Sequence, residues 1–351
     1  MAIQGTDLAD VVATTQNQLG KLKFTDIMSS YQNTIALKRL IKKGKITFDG
    51  GPEVQFNLIT DTNDSFRFTG LYNQDIVDEN NVMTNGKVPW RHATWNWAID
   101  DRELAMNGGI GKIVDLVQTK RIKSFGSAVI GMERAFWRVP AASDTTTAYG
   151  IPYYVVKSNT AVTTNDGFNG DLPSGYSTVA NLSTTTYPRW KNYATQYTAV
   201  TKDDLVRKWR RMAHYTDFMP LVDNIPQYDT GEDYGYYTNY SVQGTLVELL
   251  EAQNENLGND LAPKDGSCVF MRTPVTWVKE LDLDTTNPVY SINWGVMKTM
   301  GLRDKWMRET VIPHQAGQHN VSATFTDCSY NLLCYDRRKL GVLATNTTMG
   351  Y

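Results

Sequence analysis

Alternation and helical spacing divide the chain into stretches of different character. Residues 1–42 mix short amphipathic pieces with polar interruptions, and Leu37, Leu40 and Ile41 stand at i, i+3 and i+4 on one side of a turn. Such a segment has little core-forming power and needs another surface to lie on, its own domain's or a neighbour's. From Lys45 to Ile99 the period becomes two. Val54, Phe56 and Leu58 alternate with Glu53, Gln55 and Asn57, the turn cluster 61–64 follows, and Phe66-Arg67-Phe68 resumes the alternation. The pattern predicts a hairpin. Val88 and Trp90, then Trp95, Trp97 and Ile99, continue it with a frame shift that predicts a bulge, and Pro89 predicts an edge or irregularity. The intervening stretch is polar and turn-rich, so the hairpin has little local core and must fold back or rest on a neighbouring chain.

After the break at Gly108-Gly109, Ile110, Ile113, Val114, Val117, Ile122, Phe125, Val129, Met132 and Phe136 recur close to the helical period, with no proline before Pro140. They predict a helix of about 25 residues, about 37 Å long. Residues 141–190 are rich in Thr, Ser, Gly, Asn and Tyr. They predict a loop-dominated excursion, with a strand at 151–156 and order supplied by tertiary or intersubunit contacts. A helix starts at Thr201, with Asp203 and Asp204 in its first turn and Lys208, Arg210 and Arg211 towards its end. Both placements suit the helix dipole. Leu205, Val206, Trp209 and Met212 mark its buried face. A further helix is predicted over 242–256, and short strands over 267–272, 276–278 and 321–335.

Composition narrows the class. With 351 residues the chain suits one large domain or two smaller ones. Nine Trp, nineteen Tyr and eleven Phe exclude disorder. The 35 basic and 37 acidic side chains give a net charge of −2, so no global field draws the chain to nucleic acid or anionic membrane. No run of eighteen apolar residues is present, so no membrane-spanning helix is predicted, and the opening residues do not read as a signal peptide. Cys268, Cys328 and Cys334 are too few for a disulfide framework, and Cys328 and Cys334 lie six apart in a predicted strand, too far to bridge. Reduced thiols are expected.

Candidate chemistry is sparse. The chain has no G-x-S-x-G, H-E-x-x-H, C-x-x-C or G-x-G-x-x-G. Residues 108–112 lack the spacing and the hydroxyl residue of a phosphate loop, and Phe66 occupies the glycine position of a calcium loop beginning at Asp61. His314 and His319 sit five apart without an acidic or Cys partner close by, so polar packing is expected rather than a metal. Asp100-Asp101 and Asp203-Asp204 are adjacent and point apart on regular structure, which suits capping better than acid–base work. Cations on the long helix (Lys112, Lys120, Arg121, Lys123, Arg134) read as solvated. No catalytic residue, cofactor or metal is expected.

The element order is an arm, a long hairpin, one long helix, a loop-rich excursion and a mixed region returning to strands. It resembles the α+β, HK97-like major capsid protein of tailed bacteriophages. The likeness extends to local strings found in a group of these proteins. They are W-x-W-A-I-D-D-R-E at 95–103, G-F-N-G-D-L-P-S-G-Y at 167–176, P-R-W-K-N-Y at 188–193 and D-Y-G-Y-Y-T-N-Y at 233–240. N-E-N-L-G-N-D at 254–260, P-V-Y-S-I-N-W-G-V at 288–296, M-R-E-T, Q-H-N-V and C-Y-D-R-R follow.

The resemblance implies an N-terminal arm over 1–42, an extended hairpin (the E-loop) with adjoining strands of a peripheral (P) domain over 43–108, and the P domain's spine helix and excursion over 109–189. It places most of an axial (A) domain in 190–310 and strands returning to the P domain in 311–351. It implies a non-enzymatic protein that self-assembles through pentamers and hexamers into an icosahedral shell. That shell encloses double-stranded DNA without sequence-specific binding; it is part of the virion and is assembled in the host bacterial cytoplasm. Partners would be scaffolding, portal and decoration proteins, and no membrane. The arm lacks a long helical extension, so a separate scaffold, or none, is expected. Lys45 and Lys87 are available for the isopeptide crosslink of some relatives, but nothing places the required Glu, so none is predicted. Leu37, Leu40, Ile41, Phe66, Phe68 and Trp90 are the expected intersubunit contacts. An encapsulin-like nanocompartment shell and a monomeric polysaccharide-binding or glycan-processing protein are the alternatives.

Overall fold

The computed structural model describes residues 34–41, 46–61, 66–72, 83–107, 110–158, 165–218, 233–255, 268–271, 273–312 and 319–345. Most of the arm, the hairpin's turn cluster and His314 lie outside the described residues.

Two sheets organise the fold. The first has five strands, with β1 (Ile46–Asp49), β4 (Arg91–Asp100), β10 (Met297–Leu302), β11 (Arg308–Ile312) and β12 (Val321–Cys334). β12 is its axis. One of its edges pairs antiparallel with β4 from Arg91↔Tyr330 to Asp100↔Val321. The other takes β10 over 330–334 and β11 over 323–327, and β1 adds parallel to β10. β2 (Glu53–Ile59) and β3 (Met83–Pro89) form a separate two-stranded hairpin. The second sheet has six strands in the order β5-β13-β9-β6-β8-β7. These are β5 (Tyr193–Gln196), β6 (Tyr234–Thr238), β7 (Val269–Phe270), β8 (Thr273–Trp277), β9 (Val289–Asn293) and β13 (Gly341–Ala344).

The long helix runs Ile110–Phe136, 27 residues, as the apolar spacing predicts. It lies along β4, where Trp95 meets Phe125 edge-on at 5.8 Å and Ser124 Oγ donates to the Asn96 carbonyl at 3.0 Å. Ile122, expected on the buried stripe, is exposed. Three of its cations, Lys120, Arg121 and Arg134, are not merely solvated, and Arg138 just beyond the helix joins them. Lys120 pairs with buried Glu103, Arg121 with Glu309, and Arg134 and Arg138 share the buried Glu280 carboxylate.

The helix Ile35–Leu40 packs on this long helix rather than waiting for a neighbour. Ile35, Ala36 and Leu40 are buried in the chain's own core. Its first-turn N–H groups, the orphans of any helix start, are capped from outside. The Glu133 carboxylate accepts from Ala36 at 3.1 Å, Leu37 at 2.8 Å and the Trp137 indole at 2.8 Å. No side chain of the short helix itself does this.

Several expectations are corrected. The partner of β2 is residues 83–89, not Phe66–Phe68, which form no strand. The frame shift after Val88 is not a bulge. At Trp90 the chain leaves the hairpin and enters the five-stranded sheet, which reverses the buried face. Residues 151–154 form a helical turn, not a strand, because Pro152 supplies the first-turn geometry and Tyr153 and Tyr154 bury there. Sheet membership does not follow chain order: β10 and β11 belong with β12, and β13 lies in the six-stranded sheet between β5 and β9.

Arg337, wholly buried, orders the excursion. Its guanidinium donates to the carbonyls of Tyr154 and Trp190 at 2.8 Å, Asp171 at 2.8 Å and Gly170 at 3.2 Å. Asn192 clamps the same region by exchanging hydrogen bonds with the Val156 backbone. The order here is tertiary, as one of the two expectations for this stretch had it.

Candidate assembly surfaces

Among the described residues no group of three His, Cys, Asp or Glu side chains converges as metal ligands, and no helix is long and apolar enough to cross a membrane. The three cysteines are free and buried. Burial pushes the Cys328 thiol up to about 11 and the Cys334 and Cys268 thiols upward as well, away from thiolate reactivity. A groove of about 610 Å³ lies beside Tyr240 and Trp277, but its carboxylates are already engaged. Asp282 accepts from the Tyr240 N–H and the Trp277 indole, and Asp284 from Lys157 and Thr286. Burial opposes charge on Asp284, yet the Lys157 and Thr286 bonds outweigh it and hold the carboxyl below its usual range. Such satisfied groups hold loops; they are not poised to attack a substrate.

What the molecule presents instead is surface. The root of the hairpin is built into the core: Val54, Phe56 and Val88 are buried, and Phe56 packs against Trp190 and Tyr335. Gly86 sits directly across from Phe56, and a Cβ there would come within 2.4 Å of the ring. Asn331 on β12 donates to the Pro89 carbonyl at 2.8 Å and accepts from the Tyr149 N–H at 2.9 Å. The Trp90 indole donates to the Gly51 carbonyl at 3.0 Å. The excursion braces the outer face, with the Lys87 N–H on the Ala180 carbonyl and the Tyr187 hydroxyl on Thr84. The far end is unlike the root. Ile59 and Met83 face each other across the ladder at 63% and 69% exposure, and Phe66, Phe68, Leu71 and Tyr72 are almost wholly exposed. Phe66 and Phe68 touch only edge-on, at 5.2 Å. These apolar side chains thus stand open to solvent beyond the anchored root.

The six residues expected at interfaces therefore separate. Phe66 and Phe68 are open to a partner. Leu37, Ile41 and Trp90 are half-buried against the chain's own core, and Leu40, at 1% exposure, is sealed inside it. Sequence reading missed Glu133, Asn331 and Arg337. Of these only Arg337 left a signal, inside the string C-Y-D-R-R.

No protein-family model and no curated protein matches the sequence. Solved structures do match in shape. The cyanophage A-1(L) capsid asymmetric unit superposes with a TM-score of 0.61 at 13% identity, covering 95% of this chain and 98% of that one. The capsid of an empty GTA particle gives 0.59 at 11% identity, covering 94% and 96%. A structure from Gordonia phage Cozz gives 0.53 at 10% identity, covering 99% and 96%. The likeness in shape thus runs along nearly the whole chain without sequence likeness, and the chain has the HK97-like α+β fold of phage capsid subunits.

Proposed function

We propose that the chain is the major capsid protein of a tailed double-stranded DNA bacteriophage, self-assembling through pentamers and hexamers into the head shell. The observation that carries this reading is the combination of end-to-end likeness to capsid subunits with a hairpin anchored at its root and apolar at its free end. A monomer gains nothing from holding Phe66, Phe68, Leu71 and Tyr72 in water; a shell subunit buries them on the next copy. In this role the protein is structural, not enzymatic, and is located in the virion. Residues 46–107, the long helix, β10, β11 and β12 would form the P domain with its E-loop, and the six-stranded sheet with its helices the A domain. Leu37, Ile41 and Trp90 would line the inner rim of the contact. Near-neutral charge suits a container that encloses DNA without gripping it, because strong positive charge would oppose packing and release.

The test is to express the chain alone and with candidate scaffolding, portal and decoration proteins, and to examine the product by negative-stain microscopy and light scattering. Closed icosahedral particles are expected. Particles filled with a cargo enzyme would point to a nanocompartment instead, and a monomer under every condition would overturn the shell reading.

A further inference from the structure

The turn Arg337–Lys339 carries the chain from β12 in the first sheet to β13 in the second, and its three cations have different roles. Arg337 is spent on the carbonyls of the excursion. Arg338 and Lys339 make no ion pair with a described residue, and the Arg338 guanidinium has no hydrogen-bond acceptor among them.

Aromatic rings hold both charges in one place. The Arg338 guanidinium carbon lies 4.8 Å from the centre of the Phe168 ring and 5.1 Å from that of Phe218, and the Lys339 ammonium lies 5.5 Å from the same Phe218 ring. Phe168 and Phe218 are half-buried, as is Arg338. The surroundings are rigid. Tyr193, wholly buried, meets Phe168 edge-on at 5.7 Å, and the Asp336 side chain caps the turn by accepting from the Arg338 backbone N–H at 2.9 Å. Lys339 is only 4% exposed, a burial that lysine rarely accepts unpaired. The nearby carboxylates do not answer it: Asp166 and Asp217, close to the two rings in sequence, are exposed and pair with neither cation, and Asp336 is committed to its own turn.

We propose that Arg338 and Lys339 form a binding site for a phosphate group. The donor set selects the ligand. A guanidinium offers a planar fork of N–H groups that takes two oxygens of an oxyanion at once, and a guanidinium stacked on rings keeps that fork in a fixed plane with its edge free. A carboxylate spends both its oxygens on the fork and leaves the ammonium unanswered, whereas a phosphate keeps further oxygens for Lys339. Free phosphate and the backbone of a nucleic acid both carry this group. One such contact per chain adds little affinity, which agrees with the near-neutral total charge. The site stands on these side chains alone and does not depend on the shell reading.

Titration tests it. The full chain, titrated with inorganic phosphate in a calorimeter, should show saturable binding, with acetate at equal ionic strength far weaker. Arg338→Gln should weaken phosphate by roughly tenfold or more, and Arg338→Lys nearly as much, since it returns the charge without the fork. Lys339→Met, which keeps the apolar stem, should weaken it as well, and all three variants should melt like the parent. A short DNA duplex identifies the source. If the backbone is the ligand, Arg338→Gln lowers the slope of log affinity against log salt by about 1. Equal slopes, with free phosphate still bound by the parent and lost in the variants, keep the site and make its ligand a small phosphate. Binding of neither by the parent, acetate held as tightly as phosphate, or variants that bind like the parent would overturn the proposal. If the variants unfold, the parent's own titrations with phosphate and acetate decide.

Discussion

Arg337 holds its charge among carbonyl oxygens rather than against a carboxylate. The oxygens it satisfies belong to turns and an excursion outside the two sheets, with only Gly170 also bridged to Asn192, so one guanidinium substitutes for a missing strand. Burial pulls its pKa down to about 10, which still leaves it charged at neutral pH. Arg337→Met strands those carbonyls without a donor and should cost the subunit about 3–5 kcal/mol in urea denaturation. Arg337→Lys should recover little, since an ammonium cannot reproduce the planar fork. Alkaline pH acts on other buried groups. Cys328 is raised to about 11, and Tyr193 and Tyr236 to about 12, chiefly by desolvation. The folded state therefore keeps protons that the unfolded chain releases. These groups leave stability unchanged below about pH 8 and lower it as pH rises through 9 to 12, by at most about 1.4 kcal/mol per unit for each group. Urea melts at pH 7.5 and pH 10.5 measure the difference.

At the scale of elements, the hairpin and the long helix respond differently to glycine replacement. Gly86→Val forces a side chain into the Phe56 ring and should loosen the hairpin root by about 1–3 kcal/mol, seen as faster tryptic cleavage at Lys87 while the rest of the subunit resists. Gly126 has open space where its Cβ would stand, so Gly126→Ala should stabilise the subunit by up to about 1 kcal/mol in a thermal melt. Elements with a strong period were legible in the sequence: the long helix, the Thr201 start with its hydroxyl cap on the Asp204 N–H, the helix Tyr240–Glu255 and β12. Pairings across long separations were not. Nothing local tells β2 to choose 83–89 over 66–68, and nothing near Pro89 announces Asn331. The turn at 151–154 read as a strand because aromatic residues favour either state, and only the packing of Tyr153 and Tyr154 decides. The exposed tip was legible for the converse reason: Phe66 and Phe68 had no local core to join.

For the molecule as a whole, the described end of the arm belongs to the body. A deletion through residue 40 would remove Ile35, Ala36 and Leu40 from the core and abolish the Glu133 cap, so its loss of shells would report misfolding. The informative truncation stops at Asn33. That variant should fold with a normal melt yet give no closed shells in micrographs; normal shells would show that residues 1–33 do not take part in closure. The topology of β12 also bears on timing. This strand, at the centre of the first sheet, receives β4, β10 and β11, and its Asn331 sets the hairpin root, yet it follows β4 and the hairpin strands at a long distance in sequence and is made well after them. A nascent chain holds β4 and the hairpin strands long before it holds the strand that fixes them. Under the proposed shell reading, a copy still short of β12 would lack the fixed hairpin root that a neighbour would meet.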